Sequence, residues 1–371
     1  MKSMWFLLIM LIPLVGIVYV SWHTWSLLPL AKTWKWVIIA IGVVCFFLLF
    51  PVLFSHLDGL PLPLSRMLYA IGTSSVIVLL YLVLVFIVLD VGRLVHLVSH
   101  SWLYGNGTVT VTLTVFLFAI FLYGNIHYKN KVRVELTVET SKPLTKDYII
   151  VLASDLHLGY HNTRGDLAHW VDLINAEEPD VVLIAGDIID KSVRPLQEED
   201  MSAEFRRLNA PVYACLGNHE YYSHVPQAYQ FYKEAGIRLL QDSCAFDGDL
   251  CIIGRDDRTN RHRASLQKLK KQAETENFTL LLDHQPFDLE QAEKEGIDFQ
   301  LSGHTHEGQI WPISWITHTL YECAYGKYQR GNTNYYVSSG LGIWGGKFRI
   351  GTQSEYIVMK LHKAHKNETH R

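Results

Sequence analysis

The segment Tyr148-Ile149-Ile150-Val151-Leu152-Ala153-Ser154-Asp155-Leu156-His157 is an apolar run that stops at a carboxylate and an imidazole. An unbroken apolar run of this length suits a strand buried on both faces. The same design recurs down the chain: Asp180–Ala185 runs into Gly186-Asp187, Val212–Leu216 into Gly217-Asn218-His219-Glu220, Leu280–Asp283 into His284, and Phe299–Ser302 into Gly303-His304-Thr305-His306. Amphipathic stretches such as Asp166–Ala176 and Gln227–Ala235 separate several of these strands. The pattern predicts an α/β layered domain whose polar groups gather at the carboxyl ends of its strands, where such sheets bind ligands.

Upstream of this series, Val132, Val134, Leu136 and Val138 alternate with Arg133, Glu135 and Thr137. Period two marks a half-buried strand, so the water-soluble domain is read as residues 131–371. In its tail, Tyr335–Ser338, Lys347–Ile350 and Glu355–Leu361 read as further strands of a second sheet layer.

Residues 1–128 have a different solvent. They carry few charges and hold four apolar stretches of spanning character, 4–22, 36–54, 67–89 and a short one at 109–123. Trp5, Trp22, Trp25, Trp34, Trp36, Trp102 and Tyr123 lie near the ends of these stretches, as interfacial anchors do. No small-x-small site follows Val20, which argues against a cleaved leader. Four spans place both termini on one side. Lys2, Arg66, Lys129, Lys131 and Arg133 fall on that side, against Lys32, Lys35 and Arg93 on the other, a bias expected of a cytoplasmic catalytic domain. Asp90 and Arg93 are spaced to pair at the end of the third span.

The whole chain of 371 residues has a formal net charge of −3, which gives no electrostatic reason to expect a nucleic-acid partner. Its five cysteines show no CxxC spacing, so neither a zinc knuckle nor a disulfide framework is expected. With 18 histidines, any one Asp-x-His or Gly-His is unremarkable, and the weight lies in the ordered set at successive strand ends. Carboxylate, imidazole and amide donors together suit two hard-to-borderline metal ions side by side.

This ordered set resembles the signature of the calcineurin-like metallophosphoesterase superfamily over about residues 131–361. Ser154, His284-Gln285-Pro286, Gly308-Gln309-Ile310 and Ser338-Ser339-Gly340-Leu341-Gly342 resemble its membrane-associated bacterial branch. Glu307 departs from that branch, which usually has glycine there; this touches loop shape or pocket charge rather than the metal site. The resemblance implies a two-sheet β-sandwich flanked by helices. It also implies that Asp155, His157, Asp187 and His306 hold one metal, that Asp187, Asn218, His284 and His304 hold the other, and that Asp187 bridges. The chemistry implied is attack on phosphorus by a metal-bridging hydroxide. His219 is expected to protonate the leaving oxygen or stabilise the transition state, oriented by Asp187 or Glu220.

The expected function is therefore hydrolysis of phosphate or pyrophosphate esters by a membrane-anchored, dinuclear-metal enzyme. Its substrate is expected to be lipid-linked or membrane-proximal, a phospholipid for example, because a tether raises effective concentration at the lipid surface. Membrane lipids are the expected partners, and a bacterial inner membrane the expected location. Oxygen and nitrogen donors without thiolate suit manganese first, with iron or zinc as alternatives. Two other functions compete: a broad phosphodiesterase of soluble nucleotides with the helices only an anchor, and a non-enzymatic membrane receptor or metal-sensing scaffold. The basic run from Arg255 to Arg263 is read as a solvated loop or, alternatively, a lid that grips phosphate. Trp311–Ile316 is read equally as core packing or as a surface for acyl chains or the bilayer.

Overall fold

The computed structural model describes residues 2–54, 57–273 and 276–364, the side chains of 2–10 excepted. Residues 365–371 of the expected domain, and the side chain of Lys2, lie outside the described residues. Two compact units result, Met1–Asn125 with Gly345–Lys347, and Ile126–Trp344 with Phe348–Arg371.

The first unit is helical. Its helices are Lys2–Leu27, Lys32–Phe47 continued by Leu49–Leu53, Leu62–Leu94, and the larger part of Gly107–Lys129. Lys32–Leu53, Leu62–Leu94 and Gly107–Lys129 are long and apolar enough to cross a membrane, and Leu11–Leu27 is a shorter apolar helix among the residues with described side chains. Val15, Ile41, Val88 and Phe118 stand well exposed, as apolar side chains do when lipid is their solvent. At Gly72 a Cβ would lie 2.8 Å from the backbone of Leu48, so this glycine lets two helices approach closely. The Asp90–Arg93 pair forms at 3.4 Å and has company: Asp90 also accepts from Tyr19 Oη at 2.7 Å and meets His23 Nε2 at 3.0 Å, while Arg93 donates to Tyr104 Oη at 2.9 Å. Polar groups within an apolar unit satisfy one another here, as burial requires.

The second unit is built on twelve strands: β1 Lys131–Thr140, β2 Tyr148–Ala153, β3 Val181–Ala185, β4 Val212–Cys215, β5 Arg238–Leu239, β6 Ser243–Asp247, β7 Leu250–Gly254, β8 Phe278–Leu282, β9 Phe299–Ser302, β10 Gly326–Arg330, β11 Thr333–Val337 and β12 Ser354–Lys363. They form two mixed six-stranded sheets, ordered β1-β12-β2-β3-β4-β5 and β10-β11-β9-β8-β7-β6. Strands β2 to β5 run parallel, as do β7, β8, β9 and β11.

Alternation explains the layers. Ile150 and Leu152 of β2, Leu183 of β3, Leu280 and Leu282 of β8 and Leu301 of β9 fill the space between the sheets. The intervening Val151, Val182 and Ile184 turn outward against Trp170, Val171 and Phe231 of the helices Arg164–Asn175 and Val225–Ala235. Ile253, Leu281 and Val337 likewise face Leu266 and Leu269 behind the second sheet. Both faces of the central strands are covered, so they read as unbroken apolar runs.

Two expectations for the tail are corrected. Lys347–Ile350 is not a strand; only an isolated bridge joins Ile350 to Ile310. The last strand, β12, belongs to the first sheet and not the second, inserted between β1 and β2 with Val134 opposite Ile357 and Met359 opposite Ile150. All five cysteines are free thiols.

Candidate metal centre

The turns that follow β2, β3 and β4 in one sheet and β8 and β9 in the other converge. Their backbones are cross-stitched: Asp155 N donates to Gly186 O at 3.1 Å, His157 N to Asp187 O at 2.9 Å, and Gly303 N to His284 O at 2.9 Å. Asp155, His157, Asp187, His304 and His306 all adopt left-handed backbone, with φ of 54, 45, 53, 69 and 49°. Non-glycine residues seldom do so, and such strain gathers at functional sites held in place by their surroundings. Close approach is built in by glycine. At Gly217 a Cβ would lie 2.1 Å from Asp187 Oδ1, and at Gly303 one would lie 2.2 Å from Asp155 Oδ2.

The side chains form overlapping groups whose donor atoms lie within 4.8 Å of one another: Asp155 with His157 and His306, Asp187 with His284 and His304, and Asp187 with His157 and His219. Asn218 Oδ1 joins the second group at 2.8 Å from His304 Nδ1. All seven residues expected as ligands are thus brought together, and Asp187 stands between the two sets.

Each carboxylate is also held from behind. Asp155 accepts from Ser154 Oγ at 2.5 Å and from His304 N at 3.1 Å, and Asp187 Oδ1 accepts from His219 N at 2.9 Å. Glu220, fully buried, accepts from Gly217 N, Asp187 N and Ile189 N at 2.7, 3.1 and 3.0 Å. It ties the turns after β3 and β4 together.

The donor set fits cations. His284 Nδ1 donates to Ala185 O at 2.7 Å, which fixes the tautomer and leaves Nε2 as the ligating nitrogen. That Nε2 is buried without a hydrogen bond although Asp187 Oδ2 is 3.1 Å away. His157 Nε2 and His306 Nε2 face each other at 3.0 Å, and the Nδ1 atoms of both are buried without hydrogen bonds. Buried polar atoms left in this state ask for a further partner. Electrostatics say the same. Burial opposes a charge on His157, yet its contacts with Asp155 and Asp190 raise its pKa to about 10. Burial likewise opposes charge on His284, and Asp187 overcomes it and raises that pKa. Burial and the charge of His284 lower His304 to about 4, while burial, assisted by the charge of His157, lowers His306 to about 3. Protons on two imidazoles balance the carboxylates where dications would balance them better.

His219 is held otherwise than expected. Its Nδ1 meets the backbone carbonyl of Asp190 at 2.9 Å and the Asp190 carboxylate at 3.1 Å, so neither the Asp187 nor the Glu220 side chain orients it. Asp190 also lies 3.6 Å from His157 Nδ1. It was missed in the sequence, where its one signal is a place three residues after Asp187. Arg349 was missed too. Fully buried, it donates through Nη1 to His306 O at 2.7 Å, through Nη2 to Ser339 O and Gly342 O, and through Nε to Ser354 Oγ at 3.1 Å.

The arginines from 255 to 263 are largely engaged within the protein. Arg255 and Arg263 bind Asp283 at 3.2 and 2.9 Å, and Arg258 binds Asp288 at 2.9 Å. Arg258 also lies 4.5 Å over the ring of Phe287, which stands 4.8 Å from Tyr321, itself 6.4 Å from His304. This aromatic rim borders the His304 side of the centre. On the other side Tyr222, 57% exposed, lies 5.2 Å from His219.

Residues 148–308 match the family model described as calcineurin-like phosphoesterase. The chain is 31% identical over 259 residues to an uncharacterized metallophosphoesterase of Campylobacter jejuni, across 68% of this chain and 68% of the relative. It is 31% identical over 224 residues to an uncharacterized metallophosphoesterase of Helicobacter pylori strain J99, across 59% and 60%. A transmembrane protein with metallophosphoesterase domain from Danio rerio is 31% identical over 280 residues, across 69% and 64%. The match therefore spans 60 to 68% of the length of these relatives.

Proposed function

Since this chain belongs to the calcineurin-like phosphoesterase family, we propose that it hydrolyses phosphate or pyrophosphate esters that are lipid-linked or presented at a membrane surface. The single observation that carries the reading is the junction of two imidazole–carboxylate groups through Asp187 in a chain that also has three helices of membrane-spanning length.

Asp155, His157, Asp187 and His306 would hold one divalent ion, and Asp187, Asn218, His284 and His304 the other. When bound, such a pair supplies Lewis-acid activation of water and neutralises charge building on the phosphoryl oxygens. The protein's own work is positioning. Gly217 and Gly303 allow the backbone to press against the two carboxylates, and Glu220 fixes the turns that carry Asp187 and Asn218. His219, its Nδ1 engaged by Asp190, has Nε2 left for proton transfer. Hydrolysis joins the hydroxyl of water to phosphorus and breaks the ester P–O bond, and the leaving oxygen takes its proton through His219. Manganese suits the donor set best, with iron or zinc as alternatives. The basic residues flanking the spans favour a catalytic unit on the cytoplasmic side of a bacterial inner membrane.

The aromatic rim of Phe287 and Tyr321 with Arg258 favours a second reading, phosphodiester cleavage of soluble nucleotides stacked there. The test is hydrolysis by the full-length protein in lipid micelles with manganese, across soluble and lipid-linked esters, beside Asp187→Ala. Faster turnover of the lipid-linked ester, lost in the variant, is expected. Equal or better turnover of soluble nucleotides supports the second reading. Metal-loaded, folded protein without turnover points instead to a receptor or metal-sensing scaffold.

A further inference from the structure

The helix Ile313–Leu320 is the part of the catalytic unit that packing explains least. It buries Ser314 but leaves Trp315, Ile316 and Leu320 exposed by 65, 53 and 67%, with Trp311 before it exposed by 41%. The two indoles meet edge to face at 5.4 Å. No Asp, Glu, Lys or Arg occurs between Glu307 and Glu322. A contiguous, uncharged surface of this kind marks contact with an apolar partner.

Its position identifies the partner. The helix leaves directly from the His304-Thr305-His306 motif and returns to it. At its start, a Cβ on Gly308 would lie 2.5 Å from Ser314 N, so the motif turn and the helix N-terminus are packed backbone to backbone. Beyond its end, Thr305 Oγ1 donates to Ala324 O at 2.6 Å, and the ring of Tyr321 stands 6.4 Å from His304. The apolar face is thus continuous with the rim of the metal centre and rigidly tied to two of its proposed ligands. A phosphoryl group held at the centre would carry its attached chain along about 12 Å of uncharged helix.

We propose that Trp311, Trp315, Ile316 and Leu320 form an acyl-chain subsite, so that the preferred substrate is a phosphoester bearing at least one hydrocarbon chain. This rests on the phosphoesterase reading above. Hydrocarbon from bulk bilayer has the same chemistry, but the tie to the His304 motif selects the substrate's own chain. Each methylene seated on the face then contributes roughly a two- to fourfold gain in kcat/KM.

The test uses full-length protein in nanodiscs and a series of p-nitrophenyl alkyl phosphodiesters from methyl to octyl, each below its aggregation concentration. The expected result is a kcat/KM that climbs with chain length, with a slope flattened by Trp315→Ala and by Leu320→Ala. Both side chains are exposed, so the variants keep the fold. A slope that is flat in the natural protein, or unchanged in both variants, overturns the subsite. So does a flat slope on monomeric esters with variant effects seen only on esters presented in vesicles, which would assign the face to the bilayer. Absence of manganese-dependent turnover of every ester in the series, in protein shown to hold metal, overturns the phosphoesterase reading and the subsite with it. Turnover of the methyl ester with no chain-length slope sinks the subsite alone.

Discussion

At the residue scale the centre is a set of metal-ready side chains kept in place by groups that need touch no substrate. Asp190 holds the Nδ1 of His219 and lies beside that of His157. Asp190→Asn keeps the volume and the backbone acceptor of His219 but removes the carboxylate charge beside both imidazoles, and outer partners of this kind typically govern about 10- to 100-fold in activity or metal affinity. A drop of that size in kcat at saturating manganese is expected, measured by steady-state kinetics beside metal content. Arg349 presents a different case. Its guanidinium satisfies carbonyls of His306, Ser339 and Gly342 in a fully buried place. Arg349→Met strands those acceptors, so a loss of about 2–5 kcal/mol is expected in denaturant unfolding of the metal-free protein. Asp155, Asp187 and the histidine motifs were legible because their spacing and strand-end context are local. Arg349 was not, because its partners lie up to 43 residues away and nothing in its own neighbourhood marks it.

At the element scale the strands decide where the motifs go. Each central strand of the first sheet buries alternate residues between the sheets and against helices, so its end is fixed to within one pleat. The turn then has little freedom. Gly303→Ala places a Cβ 2.2 Å from Asp155 Oδ2 and 2.6 Å from Ser154 Oγ, and the turn must shift. Loss of bound metal with circular dichroism unchanged is the expected outcome, read by mass spectrometry of the purified variant. Retention of two metals would mean that the turn gives way without disturbing the carboxylate. Sequence periodicity found β1, β2, β3, β4, β8 and β9 because apolar patterning is local. It misplaced β12, since which sheet an apolar strand joins depends on pairing across more than 200 residues. The helix after the last histidines was ambiguous for a related reason: Trp and Ile serve a core or an interface equally well, and only exposure tells them apart.

At the scale of the whole molecule, three long apolar helices and one cluster of groups able to hold metal set the expected behaviour. Lys32–Leu53, Leu62–Leu94 and Gly107–Lys129 leave most of their apolar surface unburied. The full chain is therefore expected to sediment with membranes, to resist extraction by high salt or alkali and to require detergent; release by salt alone would contradict the helices' reading as spans. Chelation should remove activity and lower the unfolding temperature of the catalytic unit, because metal at about a thousand times its Kd contributes about 4 kcal/mol to the folded state. Recovery of both on adding manganese is the expected readout in a thermal scan of the same sample. Hydropathy, period and residue type are properties of short segments, so the sequence was enough for the division into an apolar helical part and a charged part, the layered α/β class and the donor chemistry of the motif residues. Folding was needed to show that Asp187 stands between the two donor sets, that Asp190 rather than Glu220 orients His219, that Arg349 secures the His306 loop, and that Trp311 and, on the helix Ile313–Leu320, Trp315 turn outward. Those are outcomes of strand pairing and burial over long chain separations, where the free energy belongs to the assembled core and not to any local stretch.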